Sequence, residues 1–175
     1  GITGVSESLV EMNSGLQFYD GIRTNEIQKI LIKSASDLIS LDNPNYQFVA
    51  ARLLLFAIQK QVFNTKWKDK TKDDSLDKIY PPLKQLIKSN IEKGLYSGDL
   101  ISKYSEDELD KLNSYLRHGR DLDFTYAGLQ QVVDKYLIQD RSSNTMFETP
   151  QYMYMLIAMT LFQNYLFLVL YKQID

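Results

Sequence analysis

The sequence offers few side chains that could carry out catalysis. It contains no cysteine and a single histidine, His118. The lack of cysteine excludes disulfides, thiolate metal sites and nucleophilic thiols. A Ser-His-Asp triad would have to use His118, but no Gly-x-Ser-x-Gly motif is present to hold a nucleophilic serine. We interpret His118 as a surface residue at a helix end, near Arg117 and Arg120, and the chain as an incomplete enzyme.

Charged residues do not predict acid–base, metal or nucleic-acid chemistry. Asp107 and Glu108 fall in the first turn of a predicted helix, where carboxylates suit the helix dipole. Lysines alternate with other residues from Lys66 to Lys72, and in an extended chain they could face a phosphate backbone. Interleaved aspartates largely neutralise them, and the net charge is −2. The segment is therefore interpreted as a solvated linker, with no metal site and no nucleic-acid partner.

Thr24 and Lys60 are the two residues that could contribute to an anion site. Thr24 begins a predicted helix over residues 24–40, and Lys60 lies near the end of a second helix over residues 44–63. Because a short turn joins these helices, they should pack antiparallel and bring Thr24 beside Lys60. Backbone N–H groups at a helix start and a lysine ammonium together suit a phosphate. The simpler interpretation is an N-terminal cap and a lysine that complements the helix dipole.

Hydrophobic periodicity predicts a mainly α fold throughout. The first helix carries Leu9, Met12 and Leu16 at helical spacing, and Pro44 is expected at the first position of its helix. Pro82 opens a helix that Gly94 ends, and Ser105 with Glu108 forms a capping box. A further helix is predicted over residues 126–135. Residues 136–140 and 146–148 predict one small β-hairpin, the only strand signal.

The last helix is long and apolar. Residues 152–171 contain no charged side chain, a length that could span a bilayer. Gln163 and Asn164 lie within it and no basic cluster precedes it, so a buried helix capped by Thr149 is favoured over a membrane span. With no signal peptide and no cysteine, a cytoplasmic location is expected.

Several motifs in a fixed order resemble a known family. The runs 17–24, 46–52, 120–126 and 148–155 (QFYDGIRT, YQFVAAR, RDLDFTY and ETPQYMYM) are similar to the N-terminal region of the class I ribonucleoside-diphosphate reductase large subunit. The resemblance extends over residues 16–164. It implies a partial ATP cone, the helical module that senses ATP against dATP, followed by the helices that lead into the catalytic barrel.

The resemblance assigns roles to two residues. The family's ATP contacts match Thr24, the threonine after Tyr-Asp-Gly, and Lys60, the first lysine after Ala-Ala-Arg and its apolar run. The family's other contacts lie on a basic hairpin that would precede Gly1, which implies a partial ATP or dATP site with weak or lost binding. The catalytic cysteines of the family lie in the barrel. The expected partners are the rest of the large subunit, or a second polypeptide that supplies the barrel, and the reductase small subunit.

The resemblance also gives the expected domain organisation. Residues 1–64 form a partial ATP cone, 65–78 a linker, 79–165 the helical domain and 166–175 a divergent apolar tail. Such a tail suggests a truncated, frameshifted or split gene product, as in phages, and should leave apolar surface exposed. The alternative function is a stand-alone helical module that binds a helical partner through its apolar last helix and does not bind nucleotide.

Overall fold

A computed structural model describes residues 2–63 and 80–163. They fall into two compact units, the first formed by 2–63 with 119–137 and the second by 80–118 with 138–163. Within these ranges the chain is mainly helical with one small antiparallel sheet, which confirms the fold class. The expected linker 65–78 and tail 166–175 lie outside the described residues, and the domain boundaries stay a prediction.

The elements follow one another with short connections. A 3₁₀ turn spans His118–Asp123, and the strands are β1 (Gln139–Asp140) and β2 (Thr145–Met146). The α-helices in the described ranges are α1 (Glu7–Gly15), α2 (Thr24–Asp37), α3 (Tyr46–Phe63), α4 (Leu83–Glu92), α5 (Asp99–Ser102), α6 (Glu106–Tyr115), α7 (Tyr126–Lys135) and α8 (Pro150–Phe162).

The first unit is built around a small buried cluster. Val10 of α1, Ala35 of α2, and Tyr46 and Ala50 of α3 form it, and Tyr126 of α7 packs against it. The two alanines allow close approach of α2 and α3, because their side chains add little beyond the backbone. The Tyr46 hydroxyl accepts a hydrogen bond from the Ser6 N–H at 2.9 Å, which fixes the start of α1 on this core.

Two expectations for the first unit need correction. Pro44 does not occupy the first helical position, since α3 begins at Tyr46 and the Pro44 carbonyl instead accepts from the Gln47 N–H in the preceding turn. In α1 the apolar residues at helical spacing do not face the core. Leu16 is 84% exposed, Leu9 and Met12 are also exposed, and Val10 is the buried apolar residue.

The second unit packs α4 against α6. Leu83, Leu86 and Ile87 of α4 are buried, as are Leu109 and Leu112 of α6. The predicted capping box is confirmed, because the Ser105 hydroxyl accepts from the Glu108 N–H at 3.3 Å and the Glu108 carboxylate accepts from the Ser105 N–H at 2.8 Å. Gly94 has φ +71°, as a glycine that ends a helix requires.

His118 is buried rather than on the surface, so that interpretation was wrong. It is only 6% exposed, and its ring stacks on that of Tyr80 with centroids 3.7 Å apart. The Tyr152 ring lies 4.8 Å from it at a tilted angle. The spacing of charged neighbours could not reveal this burial, because it results from aromatic residues distant in the chain.

The hairpin and the last helix follow the prediction in outline. β1 and β2 pair antiparallel over two residues each, shorter than expected, with Gln139 opposite Met146. Thr149 precedes α8 and Pro150 is its first residue, but the buried Thr149 hydroxyl does not cap the helix. Among the described residues, no helix combines the length and apolar character needed to cross a membrane.

A buried carboxylate anchors the hairpin in the second unit. Glu148 is 2% exposed. Its two oxygens accept hydrogen bonds from the Tyr96 hydroxyl at 2.6 Å and from the Ile138 N–H at 3.0 Å. Burial raises the pKa of Glu148 from its ordinary value of 4.5, and the two hydrogen bonds only partly offset this. The carboxylate thus ties the loop after α4 to the entry of β1.

This raised pKa predicts a pH dependence of stability. The folded chain holds the Glu148 proton more tightly than the unfolded chain, so its stabilising contribution is complete below pH 4.5 and is lost as the pH rises through the folded-state pKa. We expect the free energy of unfolding, measured with urea, to lose this decline in Glu148→Gln.

The matched control is Glu106→Gln. Glu106 is exposed, and the Lys84 ammonium lowers its pKa through a hydrogen bond, so its contribution has the opposite sign. An identical pH profile for the wild type and Glu148→Gln would contradict the assignment.

Candidate functional site

A pocket lies between the start of α2 and the end of α3. Its volume is about 670 Å³. Thr24 and Lys60 both contribute to its wall, so the structure brings together the two residues singled out by the sequence and confirms the antiparallel packing that requires it. The lining residues are Ile22, Arg23, Thr24, Asn25, Gln28, Ala57, Lys60 and Gln61.

The start of α2 is organised by Glu26. Its carboxylate accepts hydrogen bonds from the Arg23 backbone N–H at 3.0 Å and from the Tyr19 hydroxyl at 3.2 Å. The hydrogen bond from the Arg23 backbone is the main cause that lowers the pKa of Glu26. Arg23 has extended dihedral angles and is the residue that precedes the helix. Thr24 is therefore the first helical residue and not the cap, which corrects the expectation for its hydroxyl.

Two backbone donors remain available at this helix start. The Glu26 and Ile27 N–H groups both donate to the Arg23 carbonyl, at 2.9 and 3.0 Å. Within the described residues, the N–H groups of Thr24 and Asn25 have no acceptor. Both residues line the pocket. These free donors, at the positive end of the helix dipole, suit an anion in the pocket.

The side chains around the pocket add positive charge. Arg23 and Lys60 are its two ionised lining residues, and the lining contains no carboxylate. Both cations are exposed at the surface. Glu26 is the nearest acid in sequence, but its carboxylate is engaged with Arg23 N–H and Tyr19. The pocket therefore favours a ligand with more than one negative charge.

Amide side chains are the part of the pocket that the sequence analysis missed. Asn25, Gln28 and Gln61 contribute neutral donors and acceptors to the lining. Their signal was spacing: Thr24, Asn25 and Gln28 share one face of α2, and their counterparts on α3 recur at three- and four-residue intervals. Glutamine and asparagine are common on exposed helix faces, so spacing alone did not distinguish them.

The described residues do not form a metal site. No group of three or more histidine, aspartate or glutamate side chains in the described ranges could hold an ion. The chemistry available in the pocket is thus electrostatic and hydrogen-bonding, which fits binding rather than catalysis.

Comparison with known proteins identifies the sequence. The family described as the ribonucleotide reductase all-alpha domain matches residues 122–171. Over 94% of its length the chain is 39% identical to ribonucleoside-diphosphate reductase 1 subunit alpha of Salmonella typhimurium and 38% identical to that of Escherichia coli. It is 37% identical, over 92% of its length, to subunit alpha of the Enterobacteria phage T4 reductase. The chain spans about a fifth of the length of these relatives, 20% in each case.

These matches place the chain among ribonucleotide reductases. It belongs to the family of ribonucleoside-diphosphate reductase large subunits and corresponds to their N-terminal region. The resemblance found in the sequence is confirmed. Nucleotide binding by Thr24 and Lys60 stays a prediction.

The position of Thr24 predicts that its hydroxyl contributes little to stability. Thr24 is exposed and does not cap α2, so Thr24→Ala should change the free energy of unfolding by less than about 0.5 kcal/mol. Thr125→Ala is the matched control, because the Thr125 hydroxyl caps α7 by accepting from the Gly128 N–H at 3.2 Å. It should cost about 1 kcal/mol in the same urea titration. Equal losses in the two variants would restore Thr24 as a cap.

Proposed function

We propose that this chain is the regulatory N-terminal region of a ribonucleoside-diphosphate reductase large subunit, and that the α2–α3 pocket is part of its ATP or dATP site. The observation that carries the proposal is the combination of two cations, Arg23 and Lys60, with the free N–H groups of Thr24 and Asn25 around one pocket. The family membership gives the ligand class.

The pocket would bind the phosphate chain of the nucleotide. The N–H groups of Thr24 and Asn25 donate to phosphate oxygens at the start of α2, and the Lys60 ammonium supplies a point charge from α3. The Thr24 hydroxyl is exposed and adds a further donor there. Since the family resemblance places further contacts on a segment before Gly1, we expect binding weakened from micromolar to roughly millimolar, a loss of about 4 kcal/mol.

The proposed activity belongs to the intact enzyme. There, the large subunit reduces ribonucleoside diphosphates to deoxyribonucleotides with a cysteine radical that depends on the small subunit, and ATP or dATP sets the overall activity. This chain supplies part of that switch. Its partners are the remainder of the large subunit, on the same or a second polypeptide, and the small subunit. A cytoplasmic location follows from this role.

Nucleotide titration of Lys60→Ala tests the pocket. We expect ATP and dATP to shift the amide NMR signals of Thr24 and Asn25 in the wild-type chain at several millimolar. The variant should bind about tenfold more weakly, because it loses a charge-assisted contact to phosphate. Lys29→Ala is the matched control: Lys29 is exposed on α2 but does not line the pocket, and its loss should leave the affinity nearly unchanged.

Two results would contradict the proposal. One is the absence of any shift near Thr24 or Lys60 at several millimolar nucleotide. The other is an equal response of the wild type and Lys60→Ala, which would leave Lys60 as a residue that only complements the dipole of α3.

The chain should have no reductase activity by itself. Reduction in this family requires a radical thiol and a dithiol pair, and the 175 residues contain no cysteine. A turnover assay with a small subunit, a dithiol reductant and a ribonucleoside diphosphate should give no deoxyribonucleotide above background. Product formed by the purified chain would overturn this prediction.

A stand-alone interaction module is the second candidate function. It is favoured by three exposed apolar residues on one face of α8, namely Tyr154, Ile157 and Leu161, spaced for a helical partner. The nucleotide titration separates the two candidates, since a pure interaction module predicts no perturbation at the start of α2.

A further inference from the structure

Gln28 is the one pocket residue with an unsatisfied buried polar atom. Its Nε2 atom is buried and has no hydrogen-bond partner among the described residues. Gln28 lies on α2 and lines the pocket between Asn25 and Ala57. A buried amide donor without an acceptor is destabilising, so this side chain is held in an unfavourable state that a suitable ligand could relieve.

Gln28 lies away from the charged part of the pocket. It follows Thr24 by four residues, which places it about 6 Å further along the axis of α2. Because α3 runs in the opposite direction, the same displacement leads from Lys60 to Ala57. The charges and free N–H groups are thus concentrated at the Thr24 and Lys60 end, whereas the Gln28 and Ala57 end is neutral.

This division matches the two halves of a nucleotide. A phosphate chain needs the cations and backbone donors. A nucleoside is uncharged and flat, and it carries ring nitrogens and sugar hydroxyls that accept hydrogen bonds. The small Ala57 side chain leaves room beside Gln28 for such a group, and the Gln28 amide can rotate about its last side-chain bond to present its donor.

We propose that Gln28 recognises the nucleoside half of the bound nucleotide by donating its side-chain amide to a base or sugar acceptor. This inference rests on the proposed function, because it assumes that the phosphates occupy the Thr24 and Lys60 end. It adds a residue that determines specificity, distinct from those that attract charge.

The experiment compares a nucleotide with its phosphate chain alone. The complete chain is titrated with ATP, dATP and inorganic tripolyphosphate, and affinities are obtained from NMR shifts for the wild type, Gln28→Met and Gln131→Met. Methionine matches glutamine in length but cannot donate. Gln131 is an exposed residue of α7 outside the pocket and serves as the matched control. Gln28→Met should lose about fivefold in ATP affinity with its tripolyphosphate affinity unchanged.

A second readout does not depend on the variant folding normally. In the wild type, the side-chain NH₂ signals of Gln28 should shift with ATP and stay in place with tripolyphosphate. The dATP titration locates the acceptor: a loss in Gln28→Met for both nucleotides indicates the base, and a loss for ATP alone indicates the ribose 2′-hydroxyl.

The possible failures are distinguishable. If the wild type binds all three ligands but Gln28→Met loses nothing, or loses equally for ATP and tripolyphosphate, the role of Gln28 is wrong and the phosphate site stands. If the wild type binds neither ATP nor tripolyphosphate, the proposed function and this inference both fail.

Discussion

The close contact of α2 with α3 is the constraint on which the candidate site depends. Ala35 and Ala50 are fully buried in one cluster with Tyr46, and larger side chains at these positions would separate the helices. Burial of this seam fixes the two helices antiparallel, so the free N–H groups at the start of α2 and the lysine at the end of α3 meet at one surface. The pocket is therefore a consequence of apolar packing a few helical turns away, and none of its polar groups needs to hold the helices together.

That separation explains how a site can tolerate unfavourable features. Two unpaired cations, two free backbone donors and a buried amide without a partner all destabilise the empty pocket locally. They can be retained because the seam stabilises the helix pair independently. Glu26 contributes to the same arrangement, since it engages the Arg23 N–H and the Tyr19 hydroxyl and so keeps its negative charge from the pocket.

The sequence predicts local structure better than it predicts partners across the fold. The Ser105 capping box, Gly94 at a helix end and the limits of α7 were all correct, because each depends on neighbouring residues and backbone geometry. The pairing of Thr24 with Lys60 was also predicted, since a short connection between two helices leaves few ways to pack them. His118 and the apolar residues of α1 were misjudged because their burial depends on residues far away in the chain. The same reason hid Gln28, whose role depends on what faces it from α3.

The second unit shows a different use of polar burial. Glu148 is as deeply buried as any apolar residue of that unit, yet both of its oxygens accept hydrogen bonds, from Tyr96 and from the Ile138 backbone. A satisfied carboxylate of this kind specifies how a loop and a short hairpin meet, where strands of two residues provide little pairing of their own. Gln28 has the opposite character, since its buried donor has no acceptor in the described part of the chain. A saturated polar group indicates a structural role and an unsaturated one in a pocket indicates a missing ligand, which is why the first unit, and not the second, is the candidate for nucleotide binding.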